Sequence, residues 1–204
     1  MRLFRRKTPA ASAVTPVRVL LVCMGNICRS PLAEGVLRQR WLERGLTLPV
    51  EFDSAGTHGF HDRAPPDPRA QAAALRRGVD ISKIRARGVV AGDFERFDLI
   101  LAMDHDNHAA LLAQSAEEHH PKIRLLLEFA PDGGRRIVPD PYYGGTLGFE
   151  RVLDLVEEAM AGLLNEVERI AVARSAATTD PAPPTAGATA EQNPDGEGPG
   201  GSSP

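Results

Sequence analysis

At 204 residues the chain has room for one ordinary domain plus tails, and its 42% hydrophobic and 25% charged fractions are those of a globular protein with a real core. A net charge of −3 gives no electrostatic case for a nucleic-acid partner, and no apolar run approaches the ~18 residues of a membrane span, so no membrane partner is expected. There are two cysteines, Cys23 and Cys28; they cannot build a disulfide framework, which favours a reducing, cytoplasmic setting.

Residues 1–16 carry Arg2, Arg5, Arg6 and Lys7 but lack the apolar segment of a signal peptide, and read as a flexible lead-in. Residues 17–23 then form an apolar run of strand formers that ends at Cys23. After five intervening residues comes Arg29, followed by Ser30-Pro31 and a helical pattern over 30–44 through Ala33, Val36, Leu37 and Trp41. Ser30 suits an N-cap, Pro31 suits the first helical turn, and Gly45 suits the stop. Strand, tight loop and helix N-terminus together can make a cradle of inward N–H groups for an anion. The same field stabilises the thiolate of a cysteine at the start of the cradle. Arg29 offers a planar fork that fits two phosphate oxygens at once. No Gly-Lys-Ser/Thr follows, so this is not a Walker loop.

Val50 to Ser54 reads as a second strand, and residues 58–68 are too rich in Gly and Pro for regular structure. A helix is expected from Pro68 to Arg77, stopped by Gly78. Further strands are expected at Arg85–Val90, Asp98–Met103 and Lys122–Leu127, with Asp104 capping a helix through Leu112. Residues 128–145 read as a loop containing Asp140-Pro141. The final helix, Thr146–Val172, carries one apolar stripe: Phe149, Val152, Leu153, Val156, Ala159, Met160, Leu163, Val167 and Ile170. From Ala173 onward the composition predicts a disordered Pro/Ala/Gly-rich tail, 173–204. Alternating strands and helices predict an α/β domain over 17–172: a small central parallel sheet of about four strands, helices on both faces, and the phosphate loop after the first strand. Ligands of such sheets bind at the C-terminal strand ends, where Cys23 lies.

The run Cys23-Met24-Gly25-Asn26-Ile27-Cys28-Arg29-Ser30-Pro31, followed by Ala33-Glu34, resembles the phosphate loop of the low-molecular-weight protein tyrosine phosphatases. Asp53-Ser54-Ala55-Gly56-Thr57, Phe97 to Asp104, and Asp140-Pro141-Tyr142-Tyr143-Gly144 fit the family's order. The resemblance implies Cys23 as nucleophile, Arg29 as phosphate clamp, and Met24, Gly25, Asn26, Ile27, Cys28 and Ser30 as the substrate-binding loop. It implies that Ser30 donates its proton to the departing sulfur and that Ser54 and Asn26 hold the loop's shape. Composition alone reads Asp140 as an Asp-Pro turn residue; the resemblance makes it the general acid. Phe60 stands where the family often has a tryptophan cleft wall, and Tyr142 and Tyr143 fall at the cleft rim, where some members are phosphorylated. Cys28 is either a small apolar loop residue or a thiol that captures oxidised Cys23.

The histidine pairs, 58 with 61, 105 with 108 and 119 with 120, have no ligand partners at compact spacing, so no metal site is expected. The mechanism so implied uses no cofactor. The expected partners are phosphotyrosine proteins and an opposing tyrosine kinase, with no oligomeric state indicated. Two other enzymes on the same fold compete. An arsenate reductase coupled to thioredoxin needs cysteines beyond Cys28, and a protein-arginine phosphatase tends to have threonine where this loop has Ile27. Outside enzymes, a phospho-binding module would be expected to lack the cysteine or the acid.

Overall fold

The apolar run that ends at Cys23 is strand β1 (Val17–Cys23), buried along almost its whole length because the sheet continues on both sides of it. The computed structural model describes residues 15–132 and 137–179. Helix α1 (Arg29–Glu43) follows the loop and returns the chain to β2 (Val50–Gly56), which pairs in parallel with β1 from Val17↔Val50 to Cys23↔Gly56. Helices α2 (Pro68–Arg76) and α3 (Ala91–Arg96) then carry the chain to β3 (Leu99–Ala102) on the far side of β1, with Val22 opposite Ala102. Helix α4 (His105–Gln114) leads to β4 (Ile123–Leu125) at the edge, and α5 (Thr146–Thr179) closes the domain.

The sheet order is β2-β1-β3-β4, all parallel. The chain winds outward from β1 in one direction and then in the other, so a crevice opens at the C-terminal ends of β1 and β3. Alternate β1 side chains feed two cores. Val19, Leu21 and Cys23 pack with α1, α2 and the α5 stripe, and Leu20 and Val22 pack with Phe94, Phe97 and Leu111. The α5 stripe is buried as its period requires, apart from a half-buried Ile170.

Three expectations are corrected. Arg85–Val90 is not a strand: one bridge, Gly56↔Gly88, joins it to the sheet. The Arg87 N–H that a ladder would use donates instead to Asn26 Oδ1 at 3.0 Å, so this segment braces the phosphate loop. Helix α1 begins at Arg29 with Cys28 at the N-cap, and Ser30 does not cap it, because its hydroxyl is turned onto Cys23. Helix α5 runs past Val172 to Thr179. Alanine favours continuation there, and Arg174 ties that turn down by pairing with Asp98 and donating to Pro16 O at 2.7 Å. Residues 1–14 and 180–204 of the two expected tails, and 133–136 of the expected loop, lie outside the described residues.

Helix α3 was not anticipated, since six residues are too few to show a helical period. The other boundaries shift by a few residues. Gly45 and Gly78 have φ of +64° and +78°, which suits the two helix stops read from the sequence. Among the described residues no helix is long and apolar enough to cross a membrane.

Candidate active site

The loop between β1 and α1 is held from beneath by side chains. Asn26 is fully buried with φ +55°, a left-handed conformation that Asn tolerates better than most residues. Its Nδ2 donates to both Ser30 Oγ and Ser54 Oγ at 2.9 Å, and its Oδ1 accepts from Arg87 N. The Ser54 hydroxyl in turn donates to Glu34 Oε2 at 2.6 Å. Burial pushes the Glu34 carboxyl above its ordinary range, against the pull of Ser54 and Arg38. The end of β2 lies along the loop, with Thr57 N donating to Cys23 O at 2.8 Å and His58 N to Met24 O at 3.0 Å.

These bonds orient two groups on the Cys23 sulfur. The Asn26 N–H donates to Sγ at 3.3 Å, and Ser30 Oγ lies 3.1 Å from it. Asn26 already donates to Ser30, so the single Ser30 proton is left to point at Sγ or at Ala55 O, 3.3 Å away. The sulfur is almost wholly buried in the first core, yet it faces the floor of a cavity.

Arg29 is 2% exposed and crosses from α1 to the ends of β3 and the 137–145 segment. Its Nη1 bonds to Asp104 Oδ2 and to Val138 O at 3.1 Å, and its Nη2 to Asp140 Oδ2 at 3.0 Å. Burial works against the charge, but Cys23, Asp104 and Asp140 outweigh it and hold the guanidinium above its usual pKa. Among the described residues these bonds leave the Nε–H and one Nη2–H as donors of the same guanidinium for the oxygens of an anion. The sequence reads Asp104 as a helix cap, and it does cap α4 by accepting from Asn107 N at 2.7 Å. Its place at the end of β3, next to β1 in a parallel sheet, was the signal that it also faces Arg29.

A cavity of about 350 Å³ opens over the loop. Cys23, Met24, Gly25, Ile27, Cys28 and Arg29 form its floor, and His61, Asp140, Tyr142 and Tyr143 its walls. More than 100 residues separate Cys23 from Asp140 in sequence, and the fold brings both to one opening.

Residues 18–173 match the family model described as low molecular weight phosphotyrosine protein phosphatase. A low-molecular-weight protein-tyrosine-phosphatase of Streptomyces coelicolor is 44% identical over 162 residues, 78% of this chain and 98% of its own length. The crystal structure of a protein tyrosine phosphatase from Entamoeba histolytica with Hepes in its active site superposes with a TM-score of 0.71. It is 40% identical, and the match covers 75% of this chain and 97% of that one. The YwlE arginine phosphatase, in a structure with a phosphorylated active-site serine, has a TM-score of 0.68 at 25% identity, over 75% of this chain and 97% of that one.

The chain belongs to the low-molecular-weight protein tyrosine phosphatase family.

In this phosphatase the rim departs from the sequence reading at one residue. Phe60 is 77% exposed and stacks on His58, with ring centroids 5.1 Å apart, outside the residues that line the cavity. Its neighbour His61 turns inward, over Gly25. Within a loop lacking regular structure, nothing in the sequence shows which of two adjacent rings faces in. Tyr142 and Tyr143 pack edge to face, with centroids 5.1 Å apart, and Tyr143 is almost fully exposed. Cys28 is buried and its thiol is pushed up to about 12, by burial first and then by Asp67, Cys23 and Asp140, with Arg69 pulling it down. Among the described residues no three His, Cys, Asp or Glu side chains gather to hold a metal.

Proposed function

We propose that the chain hydrolyses phosphotyrosine in proteins through a phosphocysteine intermediate, in the cytoplasm and in opposition to a tyrosine kinase. One observation carries this reading: Cys23, Arg29 and the carboxyl group of Asp140 border one cavity whose walls include Tyr142 and Tyr143. Phosphate oxygens bound by the loop N–H groups and Arg29 bring phosphorus over Sγ. The Cys23 thiolate attacks, and Asp140 protonates the phenolic oxygen as the P–O bond breaks. Asp140, now ionised, takes a proton from the water that cleaves the phosphocysteine, and the Ser30 hydroxyl supports the sulfur as it leaves.

An aryl leaving group suits these walls. The tyrosine faces can stack on either an aryl ring or a guanidinium, but apolar Ile27 on the cavity floor packs an aryl ring and offers a guanidinium little. The YwlE relative makes phosphoarginine the control. Steady-state kinetics on one peptide carrying either phosphoryl amino acid test the assignment: kcat/KM is expected to favour phosphotyrosine by at least about 10-fold, one extra well-packed apolar contact. A preference for phosphoarginine would overturn it, and no turnover of p-nitrophenyl phosphate would leave only a binding module.

A further inference from the structure

The loop that bears Asp140 is held by a second arginine, Arg69, at the start of α2. Its Nε and Nη2 grip both oxygens of Asp67, at 3.0 and 2.8 Å. Its remaining nitrogen, Nη1, reaches the Asp140 loop at Tyr142 O, 3.0 Å away, and lies 3.5 Å from Gly144 O. The guanidinium also lies over two rings, 4.9 Å from the centre of buried Phe149 and 5.6 Å from that of Tyr142. Asp67, its anchor, is tied to the phosphate loop, because the Asp67 N–H donates to Ile27 O at 2.8 Å. Tyr142 is tied in turn to the acid, because its N–H donates to Asp140 Oδ1 at 3.0 Å.

We infer that Arg69 is a positioning residue for the general acid, a latch that sets the Asp140 loop against the phosphate loop through Asp67 on one side and the Tyr142 carbonyl on the other. The inference rests on Asp140 being the acid. Arg29 holds one Asp140 oxygen and the Val138 carbonyl directly, but its remaining N–H groups are needed by the substrate, and its bonds stop at Asp140. Arg69 holds the backbone beyond it, at Tyr142, without touching the phosphate. The planar fork is required, since it grips a carboxylate, reaches a carbonyl and stacks on Phe149 at once. A lysine can make one of these contacts.

The test compares kcat/KM, which reads the step in which the leaving group departs, on phosphotyrosine and on an aryl phosphate with a far more acidic phenol. Arg69→Ala is expected to lose about 10-fold on phosphotyrosine, the scale of a modest misplacement of a catalytic group, and clearly less on the activated ester. Inhibition by inorganic phosphate stays as in wild type. Arg69→Lys retains most of the defect. Asp67→Asn, which keeps a good N-cap for α2 but loses the ion pair, shows the same pattern more weakly. In an Asp140→Ala background, Arg69→Ala costs nothing further on phosphotyrosine.

Equal losses on both esters with weaker phosphate inhibition would overturn the latch, since Arg69 would then act through the phosphate loop or the fold. Unchanged kinetics would overturn it too. Asp140→Ala, run beside these variants, separates the two failures. If Asp140→Ala depends on the leaving group and Arg69→Ala does not, the latch alone fails. If Asp140→Ala is itself indifferent, the acid assignment fails and the latch with it.

Discussion

The two halves of the site are built in opposite ways. The phosphate loop is braced from beneath by side chains of α1 and β2 and by the Arg87 N–H after α2, with buried Asn26 bonded to Ser30, Ser54 and Arg87 at once. The loop that bears Asp140 is half exposed, without regular structure, and held chiefly by arginines that reach it from α1 and α2. The contrast follows the chemistry. A phosphate dianion keeps its charge through both steps, so its cradle gains by being rigid and formed in advance. The acid must give a proton to one oxygen and then take one from a water at the same place, which calls for an open mouth.

If that division is right, the largest loss comes from the rigid half. Cys23→Ser is expected to abolish turnover while the fold and the binding of an oxyanion remain, because serine keeps the size and loses the nucleophile. Arg29→Lys should be nearly as damaging, since a point charge replaces a fork that also meets Asp104, Val138 and Asp140. Steady-state assays with phosphate as competing ligand check both, and near-wild-type kinetics in either would remove that residue from the mechanism.

The open half is expected to fail differently. Asp140→Ala should lose on the order of 10²–10⁴ in kcat/KM on phosphotyrosine, the usual range for general acid catalysis, and clearly less on an activated aryl ester. Phosphate inhibition should hardly change. A variant that weakened phosphate binding as much as turnover would erase the distinction between the two halves.

Asn26→Ala sharpens the comparison from the other side. It removes three hydrogen bonds, two of them buried, and leaves Ser30, Ser54 and the Arg87 N–H each short of a partner. A stability loss of about 1–3 kcal/mol is expected, read by thermal denaturation. Phosphate inhibition should weaken, and the loss in rate should be alike for good and poor leaving groups.

The strand-loop-helix with its cysteine and arginine was legible in sequence because all its signals are local: an apolar run, a Ser-Pro helix start and a fixed spacing. The α5 stripe was legible for the same reason. What could not be read is what distant segments do when they meet. Arg87 lies in a stretch that reads as strand and instead gives its N–H to Asn26. Asp104 reads as a cap, and only the strand order turns it toward Arg29. Phe60 and His61 exchange the places that an aromatic pattern suggests. The extension of α5 to Thr179 rests on the pairing of Arg174 with Asp98, seventy-six residues away.

The smallest expected effect concerns Cys28. With its thiol pushed up to about 12, the thiolate fraction grows only as pH rises toward that value, so at neutral pH Cys28 stays protonated. Iodoacetamide at neutral pH should therefore label Cys23 and spare Cys28, as read by peptide mass spectrometry. Mild peroxide should inactivate the enzyme in a way that dithiothreitol reverses, through a Cys23–Cys28 bond that forms faster as pH rises. A sulfinic Cys23 beside a free Cys28 under those conditions would count against Cys28 as the capturing thiol.

The central claim is that the phosphoryl group passes through the Cys23 sulfur. Rapid quenching of the enzyme during turnover of a phosphotyrosine peptide, followed by mass spectrometry of its peptides, tests this most directly. The account predicts a phosphoryl group on the peptide containing Cys23, formed as tyrosine is released and lost as inorganic phosphate appears. Tyrosine and phosphate released together from an enzyme unmodified at every time point, or a phosphoryl group on any other side chain, would contradict it.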